Sequence, residues 1–306
     1  MTCSKLEVIL VNLISYDYIV RYQAPLPVNT LAGYLKSNMP DIRVTVIDMQ
    51  DIFSNHLIAG SDKEVSFNKA ITDTVRNISQ ASQNAPVIVG LSMKWTTQDV
   101  ASLIIREALA CADKINILFI VGNILSTYGY LHLLAHPDFQ DVLAVVGEGE
   151  DALVKITKVA LEHSEGITNT ALYTGIANVA IRREGQIIVG GLERVNLSEY
   201  PALTVPSARD IYDKEWDVYA IETSRGCPWG KCTFCSIKGQ FGHCYGSNEK
   251  VDWKWRPFAL EKVFSDIDNY ISQGALKFDI KDSEFFGPVR ENGGYDPFWD
   301  SMDRVE

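Results

Sequence analysis

Five short apolar runs, each followed by a stretch of helical periodicity, dominate the first half of this 306-residue chain. Leu6–Ile14, Val44–Asp48, Pro86–Ser92, Asn116–Val121 and Val142–Val146 read as strands. They are apolar at nearly every position and not at every second one, which is the pattern of strands covered on both faces. Between them, Leu31–Ser37, Val65–Ser82, Asp99–Ala112, Leu131–His136 and Glu150–Glu162 read as helices. Connections of that length close right-handed crossovers between parallel strands. The expected fold class is therefore α/β, with a doubly wound parallel sheet over residues 1–165.

Residues 166–216 change character. Ala177–Arg182 and Gln186–Val189 flank Arg183-Glu184-Gly185, a hairpin turn with glycine where positive φ is needed. Pro201 and Pro206 then mark an extended linker. A second unit is expected over 217–306. Val218–Glu222 is a strand, a cysteine-rich loop follows, Pro257–Gln273 is a helix with Gly274 beyond its end, and Leu276–Ile280 is the next strand. Phe298–Val305 begins another helix. There are no internal repeats and no low-complexity segments.

The net charge of −11 speaks against a nucleic-acid partner, which needs clustered lysine and arginine. No apolar run approaches the roughly 20 residues of a membrane span. Val8–Leu13 lacks the basic flank and cleavage site of a signal peptide, so a cytoplasmic location is expected. In such a reducing setting, three of six cysteines within nine residues point to metal or redox chemistry and not to disulfides.

Those three, Cys227, Cys232 and Cys235, follow Glu222-Thr-Ser-Arg-Gly. Three thiolates in one loop can ligate three irons of a 4Fe–4S cubane and leave the fourth iron open to a cosubstrate. Gly226 and Gly230 suit a backbone that curls closely around it. Two other readings stand beside this one: a zinc site completed by His243 or Cys244, and a dithiol switch at Cys232 and Cys235. Cys3 and Cys111 read as ordinary thiols.

This segment resembles the radical S-adenosylmethionine superfamily, whose usual Cys-x3-Cys-x2-Cys spacing carries an aromatic residue before the third cysteine. Phe234 fills that place; the first spacing here is longer by one residue. The resemblance implies a partial β/α barrel, with the cluster loop after its first strand and S-adenosylmethionine chelating the open iron. One-electron reduction would then release a 5′-deoxyadenosyl radical. It also implies that Asp282 or Glu284, beyond the second strand, faces the cosubstrate; solvated loop carboxylates are the plainer reading. Arg256 matches a recurrent arginine before the first helix, or is a surface cation.

The upstream α/β unit resembles the cobalamin-binding domain of that superfamily's cobalamin-dependent branch. Pro25-Leu-Pro-Val-Asn-Thr-Leu-Ala-Gly-Tyr-Leu matches the start of its first helix. Gly90-Leu-Ser92, Gly122-Asn-Ile-Leu-Ser-Thr127 and Gly147-Glu148-Gly-Glu150 fall at carboxyl ends of strands, where open α/β sheets bind ligands. Ser92, Gly122, Thr127, Gly147 and Glu148 are thereby implied as cobalamin contacts. The Asp-x-His-x-x-Gly loop that ligates cobalt from below is missing, since His56 lacks both the aspartate and the glycine. The alternative is a Rossmann-like module without cobalamin. A dinucleotide site is disfavoured because no Gly-x-Gly-x-x-Gly follows the first strand.

Together these resemblances imply a cobalamin-dependent radical enzyme acting on a small molecule or peptide, with methyl transfer to an unreactive carbon as the leading reaction. A flavodoxin or ferredoxin would supply electrons. The other readings are a radical protein without cobalamin, and a cluster- or cobalamin-binding piece without turnover. The last 85 or so residues hold only the beginning of a barrel, so a longer parent chain or a second chain is expected to complete the substrate pocket.

Overall fold

The computed structural model describes residues 6–15, 25–111, 116–202, 218–229, 232–237, 255–283 and 287. Seven strands form one sheet in the order β2-β1-β3-β4-β5-β6-β7. The five parallel strands are β1 (Glu7–Asn12), β2 (Arg43–Asp48), β3 (Val87–Ser92), β4 (Ile117–Gly122) and β5 (Leu143–Val145). Their order reverses between β1 and β3, which creates a topological switch point at the carboxyl edge.

Alternate residues of the strands feed two cores. Val8, Leu10, Ile88, Leu118, Ile120 and Val145 face α1 (Leu26–Asn38) and, later in the chain, α6 (Glu150–Glu162). Ile9, Val11, Val89, Leu91, Phe119 and Val121 share the other core with α3 (Lys63–Ser82), α4 (Gln98–Cys111) and α5 (Ile124–Ala135). Burial on both faces explains why the strands lack polar alternation.

Helix starts depart from the sequence expectations for local reasons. α1 begins at Leu26 and not near Leu31, because Pro27 sits in the first turn, where its missing N–H costs nothing. A helix that periodicity did not suggest, α2 (Met49–Ile58), follows β2 without a loop; Asp48 caps it by accepting from Gln50 N at 3.2 Å. α5 starts at Ile124, seven residues before the expected Leu131, capped by Asn123. Its Gly129 lies under the Trp95 ring and is no breaker: a Cβ there would come within 3.6 Å of the indole.

The hairpin of β6 (Val179–Arg183) and β7 (Gln186–Val189) is no separate connector. β6 pairs antiparallel with β5, so the sheet continues through Val189, well past residue 165.

In the second unit, β8 (Val218–Ile221) pairs in parallel with β11 (Lys277–Ile280), and α7 (Leu260–Ser272) crosses between them. This is one βα unit followed by a strand, as expected. The helix starts at Leu260 and not Pro257, because β10 (Arg256–Pro257) bridges antiparallel to β9 (Ser224–Arg225). The expected helix at Phe298–Val305 lies outside the described residues. Tyr219, Ile221, Phe258, Val263 and Tyr270 join the same core as Leu10 and α1, so the two units share one apolar interior. No helix among the described residues is long and apolar enough to cross a membrane.

Candidate functional site

A cleft of about 180 Å³ opens at the carboxyl edge of the parallel strands. Leu26, Pro27, Val28 and Leu31 of α1 form an apolar wall, opposite Ser92, Gly122, Asn123 and Gly147 at the strand ends. A Cβ added at Gly122 would meet nothing within 4 Å, so the glycine leaves room on the cleft side for a guest. Asn123 holds a left-handed φ of 76°. Its amide donates to Ser92 Oγ at 2.9 Å and its oxygen accepts from Ile124 N at 2.6 Å. The loops after β3 and β4 are thus fixed to each other.

Thr127 stands behind this wall. It is 2% exposed, donates to Asn123 O at 3.1 Å and accepts from Gly147 N at 3.1 Å. Ser92, Gly122, Gly147 and Glu148 do line the cleft; Thr127 instead braces the turn that carries Gly147. Asn123 was not singled out from the sequence, although an asparagine directly after a strand-ending glycine is a helix-cap signal.

The far side of the cleft belongs to the second unit, which contributes Glu222 and Arg225. Arg225 is buried among three carboxylates. Its Nη2 lies 2.6 Å from Glu150 Oε1 and 3.0 Å from Glu222 Oε2, and its Nη1 lies 3.5 Å from Glu148 Oε1. Arg256 Nη2 also donates to Glu148 Oε1, while Glu148 Oε2 accepts from Val195 N at 2.9 Å. Tyr200 donates to Glu150 at 3.1 Å. The Arg225 guanidinium lies over the rings of Phe258 (5.4 Å) and Tyr200 (5.8 Å), a cation–π arrangement.

Glu150 and Glu222 titrate differently. Burial pushes both upward; at Glu150 the Arg225 guanidinium overcomes it and holds the group below its ordinary value. At Glu222 burial wins over the same arginine and the carboxyl is raised. Burial opposes the charge on Arg225, yet Glu150, Glu222 and Glu148 together raise its pKa further, so it stays a cation. The sequence held the signal for part of this cluster, a Glu-x-x-Arg pair directly ahead of the cysteines.

Two residues after Arg225 comes Cys227. Cys227, Cys232 and Cys235 are half-buried free thiols, and Cys235 N donates to Cys232 O at 3.4 Å. Among the described residues no three of histidine, cysteine, aspartate and glutamate gather tightly enough for one metal ion. A cubane differs from a single ion here, because it offers each thiolate its own iron and suits ligands set further apart. Phe234 is 89% exposed and Trp229 63%.

Asp282, just past β11, anchors the start of this loop. Its Oδ1 accepts from Thr223 N at 2.8 Å, and its Oδ2 accepts from Ser224 Oγ at 2.9 Å and from Thr223 Oγ1. A carboxylate offers about four lone-pair positions, so among the described residues one on Oδ1 is left for a further donor. Glu284, His243, Cys244 and Cys3 lie outside the described residues. Arg256 is no surface cation, since it binds Glu148 and the Val195 carbonyl (2.9 Å). His56 sits on α2 and contacts Asp73 at 3.1 Å, apart from the cleft.

No family model matches the chain. A curated relative, 4'-phospho-dehydrooxetanocin synthase of Priestia megaterium, is 24% identical over 299 residues, which is 93% of this chain and 34% of the relative. The chain therefore spans about a third of that protein's length. Among solved structures, the cobalamin-dependent S-adenosylmethionine radical enzyme OxsB is similar in three states. With aqua-cobalamin and S-adenosylmethionine bound the TM-score is 0.67 at 22% identity; with aqua-cobalamin alone it is 0.68 at 22%. The apo enzyme gives 0.64 at 21%, and each match covers 94% of this chain and 35% of that one. The chain has the fold of the corresponding part of a cobalamin-dependent radical S-adenosylmethionine enzyme.

Proposed function

We propose that the chain is the cofactor-bearing portion of a cobalamin-dependent radical S-adenosylmethionine enzyme. The observation that carries this reading is a juxtaposition. The open cleft of a doubly wound sheet and a three-cysteine loop meet at one residue, Arg225, which lines the former and leads into the latter. The likeness of fold over 94% of this chain to OxsB, solved with aqua-cobalamin and S-adenosylmethionine bound, supports it.

Cys227, Cys232 and Cys235 would hold a 4Fe–4S cluster, and Asp282 Oδ1 would accept from the amino or ribose group of S-adenosylmethionine, with Phe234 and Glu284 as further candidate contacts from the sequence. Ser92, Gly122, Gly147 and the α1 wall would seat cobalamin, with Thr127 and Glu148 fixing the turn they depend on. When bound, the cluster supplies an electron to cleave S-adenosylmethionine, and cobalamin supplies a methyl-carrying or redox-active cobalt. Among the described residues, no histidine or cysteine lines the cleft. The apolar α1 wall offers an apolar surface to that face.

The leading reaction is methyl transfer to an unreactive carbon of a small molecule or peptide, with a flavodoxin or ferredoxin as electron donor in the cytoplasm. A second reading, radical rearrangement without methyl transfer, is favoured by the name of the curated relative, a synthase and not a methyltransferase. Anaerobic reconstitution tests the shared core of both. About four irons and four sulfides per chain, retention of hydroxocobalamin and release of 5′-deoxyadenosine under reduction are expected. Cys232→Ser and Cys235→Ser should each abolish 5′-deoxyadenosine release. Stoichiometric zinc without iron would overturn the proposal.

A further inference from the structure

We infer that Arg225 is a positioning residue that sets the distance between the cysteine loop and the cleft of the α/β unit, an inference that rests on the proposed function. The argument starts from one tetrapeptide, Gly147-Glu148-Gly149-Glu150, which has two duties. All four residues line the cleft, while the two glutamate side chains reach across to the second unit. Glu150 meets Arg225 at 2.6 Å, and Glu148 is gripped by both Arg225 and Arg256. Those two arginines sit opposite each other on the β9–β10 bridge, where Arg225 and Arg256 are partners in register. One short turn of the first unit is therefore clamped by a pair of strands from the second.

Arg225 is best placed to transmit this clamp. Its side chain is 6% exposed, and it is two residues from the first cysteine. Its planar fork uses all three nitrogens, Nε and Nη2 on Glu222, Nη2 also on Glu150 and Nη1 facing Glu148, which a lysine's single ammonium cannot reproduce at the same geometry. Its other face is closed by Phe258 and Tyr200, which meet edge-to-face at 5.1 Å. Burial, multiple bonds and stacking leave the guanidinium one position. The backbone just ahead of it is fixed by Asp282, through Thr223 and Ser224. Radical chemistry shared between two centres depends on their separation to within fractions of an ångström to an ångström. A residue at the junction of cleft and cysteine loop can thus govern their coupling.

The experiment loads the full chain with a reconstituted cluster and hydroxocobalamin and reduces both to their paramagnetic states, one electron spin on each. Electron paramagnetic resonance then reads the dipolar broadening of the cobalt signal by the cluster, which depends steeply on separation. In Arg225→Lys, iron and cobalamin contents equal to wild type with loss of the resolved broadening are expected. Glu150→Gln, which keeps the side-chain shape, should weaken the broadening in the same direction and serves should Arg225→Lys not fold. Equal loading with unchanged broadening in the variants would overturn the positioning role and leave the proposed function standing. A wild-type chain that loads no cluster or no cobalamin would overturn the proposed function, and this inference with it.

Discussion

Gly287 shows how much a single residue can be asked to do. Its φ is +67°, and a Cβ there would lie 2.7 Å from the rigid Trp255 ring, whose Nε1 donates to Ser224 Oγ at 2.9 Å beside Asp282. Gly287→Ala should cost at least about 2 kcal/mol, from left-handed strain and overpacking together, read as a lower midpoint in urea unfolding. The carboxylates of the Arg225 cluster predict a pH response of two signs. Glu150 has a lowered pKa, so its stabilisation is present above the ordinary value of 4.5 and is lost as pH falls through the folded value. Glu222 is raised, so its contribution is present below 4.5 and is lost as pH rises through its folded value. Thermal melts between about pH 3 and pH 8 should therefore lose their acid limb in Glu150→Gln and flatten on the alkaline side in Glu222→Gln. Unchanged profiles in both would contradict the assigned directions. The cysteines and the strand-end glycines were legible as residues. The contacts of Asn123 with Ser92 and of Glu150 with Arg225 were not, because each joins residues distant in sequence, although local signals at Asn123 and at Glu222–Arg225 were present.

At the scale of elements, the β6–β7 hairpin is the most instructive. Its two turn residues, Glu184 and Gly185, both have positive φ (50° and 79°), the conformation of a two-residue turn matched to strand twist. Replacing Glu184 by asparagine, which tolerates that region better, should stabilise the protein by a few tenths of a kcal/mol up to about 1 kcal/mol. A lower melting temperature for Glu184→Asn would count against the turn assignment. Sequence identified this hairpin and its turn but not its partner: only the pairing of Ala144 with Ala180 and Val145 with Val179 makes it part of the main sheet. Pairing is a long-range choice that period and turn chemistry leave open. Helix ends were likewise decided by context, as at α1, where periodicity suggested a start near Leu31 but Pro27 stands in a first turn that begins at Leu26.

For the whole molecule, the question is what keeps two units in one arrangement. Two kinds of contact do so. The aromatic chain Tyr34–Tyr200–Phe258, with centroids 4.8 and 5.1 Å apart, continues the core across the junction. The arginine–glutamate clamp gives that apolar contact a direction. Glu148→Ala strands Arg256 and part of Arg225 in a buried setting, and removing one partner of a buried pair costs about 3–5 kcal/mol. Unfolding of this variant should separate into two transitions, with the second unit melting first. A single transition at the wild-type midpoint would show that the aromatic core alone holds the units together.

The sequence by itself determined the layered α/β class and the strand–helix alternation and singled out the cysteine-rich loop, since these follow from periodicity and from residues close together in the chain. The tertiary structure alone decided that the cleft and the cysteine loop share a wall. Glu148 and Glu150 stand some 75 residues from Arg225, and a charge of either sign reads as a solvated surface residue until its partner is known. Burial makes such a pair informative, because an ionised group is kept from water only where the fold supplies its opposite.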